Sequence, residues 1–228
     1  MDRHDLIALL LSYGFLLGVL LIAEVSHRLW GTSPFLGRKL VLIGMGLWPL
    51  ATIETFASWK CGIIPPLTMA ILYYGSYRYD LFQSVEDHER VNLGLVFFPL
   101  SFALLVGWLW RPGSPADAGY IAVAALMATA AGDTTAALVG RRFGTRRYRF
   151  AGHPRTMEGT LAMFLATGTV ITPVLALGGN MDWHQSVAFA LIAGTVAACV
   201  EIVSVYGSDN LTVPLAIALT LYPLQLLS

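Results

Sequence analysis

The sequence contains few charged residues for its length. Of 228 residues, 12% are charged and 56% are hydrophobic, and the mean hydropathy is +0.66. A soluble domain carries about twice that charged fraction, so the composition excludes an ordinary soluble protein and indicates a polytopic membrane protein. The formal net charge is zero, which provides no general attraction for nucleic acid.

Cysteines and familiar motifs are also scarce. The chain has two cysteines, Cys61 and Cys199, without the spacing of a metal or redox motif, and we interpret both as small core residues. No GxxxxGK[ST] motif occurs, which excludes a P-loop enzyme. The first apolar run is too long for a cleavable signal peptide. Without an internal repeat or a long linker, residues 1–228 are predicted to form a single transmembrane catalytic domain.

Long apolar runs predict an all-α, polytopic bundle of seven or eight transmembrane helices. A span requires roughly 17 to 25 residues. The third candidate is the least regular, because it opens with Pro65 and Pro66, which suit only the first turn of a helix. The candidate spans are residues 6–26, 40–56, 62–77, 91–110, 118–139, 159–178, 185–206 and 211–227.

Basic residues are concentrated in alternate loops. The odd-numbered loops of an eight-span bundle hold eleven of the fourteen, and the other side holds only Arg3, Lys60 and Arg111. The positive-inside rule therefore predicts cytosolic odd loops and a multi-pass protein with both termini outside. The eleven are Arg28, Arg38, Lys39, Arg78, Arg90, Arg141, Arg142, Arg146, Arg147, Arg149 and Arg155.

Five carboxylates fall near the same predicted membrane face. Asp133 lies about 9 Å inside its span, at 1.5 Å per residue, and Glu201 and Glu24 lie at similar depths. Asp209 and Glu158 stand at the mouths of the last and sixth spans. Ionisable groups within membranes are functional candidates by default. We assign functions to Asp133 and Asp209, and interpret Glu24 as a structural partner of an arginine.

Six arginines follow Asp133 between residues 141 and 155. By themselves they are explained by membrane topology, but guanidinium groups also bind phosphate oxygens in pairs. Gly140 and Gly144 bracket Arg141 and Arg142, and predict a tight turn there.

The sixth span begins with a predicted anion site. Thr156 is a candidate N-cap, and N–H groups behind it, near Gly159, would face an anion. Glu158 in the same place suggests an intervening cation, and Mg²⁺ binds through one or two carboxylates plus nucleotide phosphates. Before the last span, Asp209 and Asn210 could coordinate a metal, orient a hydroxyl or simply cap the helix.

These residues lie in recognisable blocks. "GDTTAALVGRRFG", "RTMEGT" and "E…SDNLTVPLA", in this order, resemble the polyprenol kinase family, which includes phytol kinases and dolichol kinases. "GRKLVLIGMG" (37–46) and "HERVNLGLVFFPL" (88–100) resemble weaker blocks of that family. The similarity extends from Arg38 to Pro214. The family often has lysine at the position of Arg155 and histidine at that of Leu42.

The resemblance implies transfer of the γ-phosphate of a nucleotide, typically CTP, to a lipid alcohol with Mg²⁺. The alcohol would be phytol, geranylgeraniol or a polyprenol, lying among the spans; UTP and ATP remain open as donors. Most of the site would lie within residues 130–215. The expected catalytic residues are Asp133, Asp209 and Glu201; the expected metal ligands are Asp133, Glu158 and Asp209; the expected nucleotide-binding residues are Arg141, Arg142, Arg155, Thr156, Gly159 and Asn210.

Three alternative functions remain open for this sequence. Phosphatidate cytidylyltransferases share the Asp, Gly-Arg-x-x-Gly and Thr-x-Glu-Gly pattern but lack the "DNLTVPL" ending. A diacylglycerol kinase would also act on a hydroxyl beside an apolar tail. A transporter or lipid-flipping protein would show repeated halves and charges near the midplane, neither of which the sequence displays.

Overall fold

Helices make up most of the chain. The computed structural model describes residues 3–79, 93–150 and 153–227. Its helices are α1 (Arg3–Trp30), α2 (Pro34–Thr55), α3 (Trp59–Gly62), α4 (Ile64–Tyr79), α5 (Gly94–Leu109), α6 (Gly119–Phe143), α7 (Met157–Pro173), α8 (Trp183–Val203) and α9 (Asp209–Leu226). A π-helical turn, Val174–Gly178, continues α7, and the strands β1 (Arg147–Phe150) and β2 (His153–Thr156) form a hairpin.

The predicted all-α membrane bundle is confirmed. In the part of the chain that the structure describes, five helices are long and apolar enough to cross a membrane: α1, α2, α6, α7 with its π-helical turn, and α8. The other predicted spans coincide with α4, α5 and α9, which are shorter or less apolar. Residues 88–92, which hold Arg90 and the predicted start of the fourth span, lie outside the described residues.

The central helix of the bundle is α6. It packs against α2, α5, α7 and α9, and most of its middle is alanine, from Ala122 to Ala130, with almost no exposed surface. Small side chains allow helices to approach closely in an apolar environment, where packing rather than hydrophobic burial holds them together. Asp133 therefore lies on the most enclosed helix.

The prediction of a tight turn at Gly140 is wrong. Helix α6 continues to Phe143, so Arg141 and Arg142 belong to its last turn. The glycine is required by packing: a Cβ at Gly140 would lie 2.8 Å from Thr156 Oγ1, which is too close. Gly140 thus allows the start of α7 to contact the end of α6.

Cys199 is exposed rather than in the core, contrary to our expectation, whereas Cys61 is half-buried. Apolar residues predict burial only where the surroundings are water. Large apolar side chains also cover the outside of this bundle, with Leu10 and Leu11 on α1 more than 60% exposed. A lipid-facing surface is as apolar as the interior, so sequence alone does not separate the two.

The segment between α6 and α7 forms an antiparallel hairpin that the sequence did not predict. Arg147 pairs with Thr156 and Tyr148 with Arg155. Tyr148 also forms a side-chain hydrogen bond with Thr160 on α7, at 2.7 Å between hydroxyl oxygens. The hairpin is thereby attached to the first turns of α7, at one end of the bundle.

Candidate active site

A cavity of about 1010 Å³, with both charged and apolar residues in its lining, opens at this end of the bundle. Helices α6 and α8 end there, and α2, α5, α7 and α9 begin there. Its lining contains five cationic side chains and three carboxylates, a formal excess of two positive charges that suits a polyanion. The charged residues are Arg38, Lys39, Arg141, Arg147, Arg155, Asp133, Glu201 and Asp209.

Asp133 forms an ion pair with Lys39. The Nζ atom lies 2.6 Å from Oδ2, and the two side chains are 16% and 11% exposed. Helix α2 begins with Ser33, whose hydroxyl accepts a hydrogen bond from the Leu36 N–H, and with Pro34 in its first turn. This start places Lys39 in the second turn, opposite α6. The structure thus compensates a carboxylate that is almost fully buried.

Arg155 and Glu201 form a second ion pair. Nη1 of Arg155 donates to Glu201 Oε1, while Nη2 donates to the carbonyl oxygens of Glu201, at 3.0 Å, and Ser204, at 3.1 Å. Arg155 therefore holds the carboxyl end of α8, where unpaired carbonyls favour a cation. Its Nε is buried without a hydrogen-bond partner among the described residues. Most of the guanidinium is therefore already engaged within the protein.

Asp209 and Asn210 open α9 and line the same cavity. The Asp209 carboxylate lies within electrostatic range of Asp133, Lys39 and Arg155. Asn210 is 5% exposed, and its Nδ2 donates to the Gly94 carbonyl at the start of α5, at 3.0 Å. The predicted capping alternative is not observed for the Asn210 side chain, because it bonds to another helix.

The two arginines at the end of α6 diverge. Arg141 lines the cavity, and its guanidinium carbon lies 3.9 Å from the centre of the Phe35 ring, a cation–π contact that fixes its direction. Arg142 does not line the cavity and lies 5.7 Å from the ring of Phe143. Adjacent residues on a helix point about 100° apart, so the side chains of Arg141 and Arg142 do not both reach the cavity.

Thr156 caps α7, as predicted, and its Oγ1 accepts a hydrogen bond from the Gly159 N–H at 3.1 Å. The N–H of Met157 donates to the Arg146 carbonyl at 3.0 Å. The free N–H group expected at Gly159 is therefore already bonded, because the cap occupies it. Both Thr156 and Gly159 nevertheless line the cavity.

Glu158 does not line the cavity, contrary to what a metal ligand requires. Its Oε1 accepts hydrogen bonds from the Thr145 hydroxyl at 2.6 Å and from the N–H groups of Thr145 and Arg146, each at 3.2 Å. The hairpin, which the sequence did not predict, brings these donors over the start of α7. Glu158 thereby anchors the hairpin. Within residues 3–79, 93–150 and 153–227, no group of three acidic, histidine or cysteine residues forms a metal cluster.

Glu24 has the structural role that we expected for it. Arg28, one turn further along α1, donates from Nε to Glu24 Oε1 at 2.7 Å. The pair is not part of the cavity lining.

Sequence reasoning gave no site role to Arg38, Lys39, Phe35 and Arg147, all of which line the cavity. The "GRKLVLIGMG" block carried a usable signal for two of them, an adjacent arginine and lysine at the start of a span. For Phe35 no sequence signal exists, because its role depends on the Arg141 side chain lying across its ring.

The fold and the cavity together define a class: a helical membrane protein with a charged cavity at one end of its bundle and apolar surfaces around it. No family model and no solved structure matches the chain. Curated proteins with similar sequences do exist. One is a phytol kinase of Synechocystis sp., 37% identical over 216 residues, which cover 93% of this chain and 89% of the relative.

Two plant relatives are more distant. A probable chloroplastic phytol kinase of Zea mays is 29% identical and covers 82% of this chain and 66% of its own length. A chloroplastic farnesol kinase of Arabidopsis thaliana is 30% identical, with coverages of 80% and 63%. The chain thus spans about two thirds of these plant proteins. The protein belongs to the polyprenol kinase family, with phytol kinases among its relatives.

Proposed function

We propose that the protein transfers the γ-phosphate of CTP to the hydroxyl of an isoprenoid alcohol, with Mg²⁺. Family membership supports the coarser statement that it is a lipid-alcohol kinase, and the alcohols in the relatives' names, phytol and farnesol, are both isoprenoid. The observation that carries the proposal is the cavity, where cationic and acidic side chains meet at the end of an apolar bundle.

The phosphates would contact the cationic side of the cavity. Arg141 and Arg147 line it, and neither forms an ion pair within the described part of the chain. Guanidinium groups bind phosphate oxygens in a bidentate manner, so these two are the strongest candidates for direct contact. Arg155 would contribute through its unpartnered Nε, while its other donors keep the end of α8 in place.

The residues present fit a magnesium ion that would also contact the nucleotide phosphates. Asp133 and Asp209 both line the cavity and supply hard carboxylate oxygens. Mg²⁺ is usually held by one or two carboxylates together with substrate phosphates, so a third acidic ligand is not required. When bound, the ion would neutralise charge on the phosphates. Glu158 is not proposed as a ligand, because it is not among the residues that line the cavity.

The alcohol would approach along the apolar part of the lining, formed by Leu42, Leu95 and Val205. Asp209 is the first candidate to accept the hydroxyl proton, because one oxygen of Asp133 is already bonded to Lys39. Phosphoryl transfer depends mainly on positioning and charge neutralisation, which this arrangement can provide without a covalent intermediate.

The experiment is a transfer assay with purified protein in detergent and CTP labelled separately at the α- and γ-phosphates. Phytol, geranylgeraniol, farnesol, diacylglycerol and phosphatidate are offered in parallel, and UTP and ATP replace CTP in further samples. We expect γ-label in an isoprenoid alcohol and release of CDP. Asp209→Asn serves as the inactive control, with a rate reduced on the order of a hundredfold or more.

Three results would contradict the proposal. Transfer of the α-label to phosphatidate would indicate a cytidylyltransferase. Labelling of diacylglycerol alone would indicate a different lipid kinase. Absence of transfer with every donor and acceptor, in protein that remains folded, would favour a transporter.

A further inference from the structure

The Asn210 side chain is held in one orientation. It is 5% exposed, and its amide contacts the Gly94 carbonyl oxygen at 3.0 Å. A carbonyl oxygen only accepts hydrogen bonds, so the amide must present its NH₂ group there. Oδ1 therefore occupies the other position, and it has no hydrogen-bond partner in the described part of the chain. Asn210 lines the charged cavity.

A buried acceptor without a hydrogen bond costs folding free energy unless a bound ligand supplies the missing interaction. The missing partner must be a hydrogen-bond donor or a cation, because Oδ1 has no proton to give. This condition excludes a direct contact with ionised phosphate oxygens, which are themselves acceptors. A phosphate contact of Asn210, expected from the sequence among its nucleotide-binding roles, would therefore involve the second N–H of the amide and not Oδ1.

The neighbouring carboxylates favour a cation over a hydroxyl donor as the partner of Asn210 Oδ1. Asp209 precedes Asn210 and Asp133 lies in the same cavity. A lipid hydroxyl has a single proton, and a carboxylate accepts it more strongly than an amide oxygen does. A divalent cation, in contrast, binds several oxygen ligands at once, and side-chain carbonyls are among those it accepts.

We propose that Asn210 Oδ1 is a direct ligand of the divalent cation, beside Asp209 and Asp133, and this inference rests on the proposed function. Two carboxylates and one neutral amide would supply three hard oxygen ligands of the kind that a divalent cation takes. Helix α9 presents Asp209 and Asn210 from its first turn, and the bond to Gly94 fixes the second of these against α5.

The first test measures Mn²⁺ binding by electron paramagnetic resonance, with the full chain in nanodiscs and the metal alone as probe. Asn210→Leu should weaken Mn²⁺ affinity on the order of tenfold or more, whereas Asn210→Asp should bind at least as tightly as the original protein. Asn180→Asp is the matched control, because it adds the same carboxylate at an exposed position near the far end of α7. Its affinity should be unchanged. Normal Mn²⁺ affinity in folded Asn210→Leu would overturn the inference.

A second measurement does not alter Asn210, in case its variants fail to fold. The chain has three asparagines, Asn92, Asn180 and Asn210. In an Asn92→Gln/Asn180→Gln background, asparagine labelled with ¹³C at the carboxamide marks Asn210 alone. We expect a ¹³C hyperfine coupling to bound Mn²⁺ by electron–nuclear double resonance. Bound Mn²⁺ without that coupling would overturn the inference.

The proposed function and the assignment of Asn210 as a metal ligand can be contradicted independently of each other. Mn²⁺ bound through Asn210 in a protein that transfers no phosphate would contradict the proposed function and leave the ligand assignment intact. Active protein in which Asn210→Leu retains Mn²⁺ affinity but binds CTP more weakly would overturn the ligand assignment, and would indicate a contact with the nucleobase or ribose.

Discussion

At the scale of single residues, the site depends on charges that are already paired before substrate binds. Lys39 and Asp133 come from helices far apart in sequence and meet at 2.6 Å. Removing one member of a buried pair leaves an uncompensated charge, which is more damaging than replacing both. The same logic applies to Arg155 and Glu201 across the cavity.

Lys39→Met should therefore lower the free energy of unfolding by up to about 3 kcal/mol, while Lys39→Arg should retain most of it. The double variant Lys39→Met/Asp133→Asn should be more stable than Lys39→Met alone, because no buried charge remains unpaired. Thermal unfolding of detergent-solubilised protein measures all three. A double variant less stable than Lys39→Met would show that the ion pair does not determine stability here.

At the scale of elements, the hairpin is connected to the bundle at both of its ends. Glu158 on α7 accepts three hydrogen bonds from Thr145 and Arg146 just before β1, and Arg155 in β2 bonds to the end of α8. The hairpin also carries Arg147 into the cavity lining. Its position thus couples the cationic wall of the cavity to three separate helices.

Glu158→Ala should release the first of these connections, so that the hairpin, whose arginines in β1 are already exposed, unfolds more often into a form that trypsin can cleave. We expect trypsin to cleave near Arg146 and Arg147 several times faster than in the original protein, with the remainder of the bundle resistant. Glu24→Ala is the control, because it removes a carboxylate paired with Arg28 away from the cavity. Equal cleavage of all three proteins would contradict an anchoring role for Glu158.

At the scale of the whole molecule, the cavity and the hairpin lie at the same end of the bundle. That end carries most of the basic residues, for which the positive-inside rule predicts the cytosol. A cytosolic opening would give nucleotides access to the cavity, and the lipid alcohol would reach it from the membrane beside the apolar helices.

Cysteine labelling tests this orientation. In a Cys61→Ser/Cys199→Ser background, Arg149→Cys in β1 should react with an impermeant maleimide only from the cytosolic side. Ala116→Cys, in the exposed turn before α6, should react only from the other side, since α6 runs from that turn to the hairpin. The opposite pattern in intact cells and inverted vesicles would reverse the orientation and contradict a cytosolic site.

The sequence by itself determined the class of fold and singled out five of the eight charged residues that line the cavity. Scarce charge and long apolar runs predict membrane helices, because each span must satisfy its backbone hydrogen bonds internally. Asp133, Arg141, Glu201, Asp209 and Asn210 could be singled out because polar groups in apolar segments are costly unless they have a role. The N-cap at Thr156 followed from local hydrogen bonding alone.

Only the tertiary structure decided which of these groups are engaged with one another. Lys39 meets Asp133, and Arg155 meets Glu201, through helix packing that no local pattern encodes. Glu158 turns to the hairpin, and Asn210 Oδ1 is left without a hydrogen-bond partner among the described residues, for the same reason. The chemical type of each side chain is fixed by the chain, but its partner depends on which helices are brought within about 3 Å of one another.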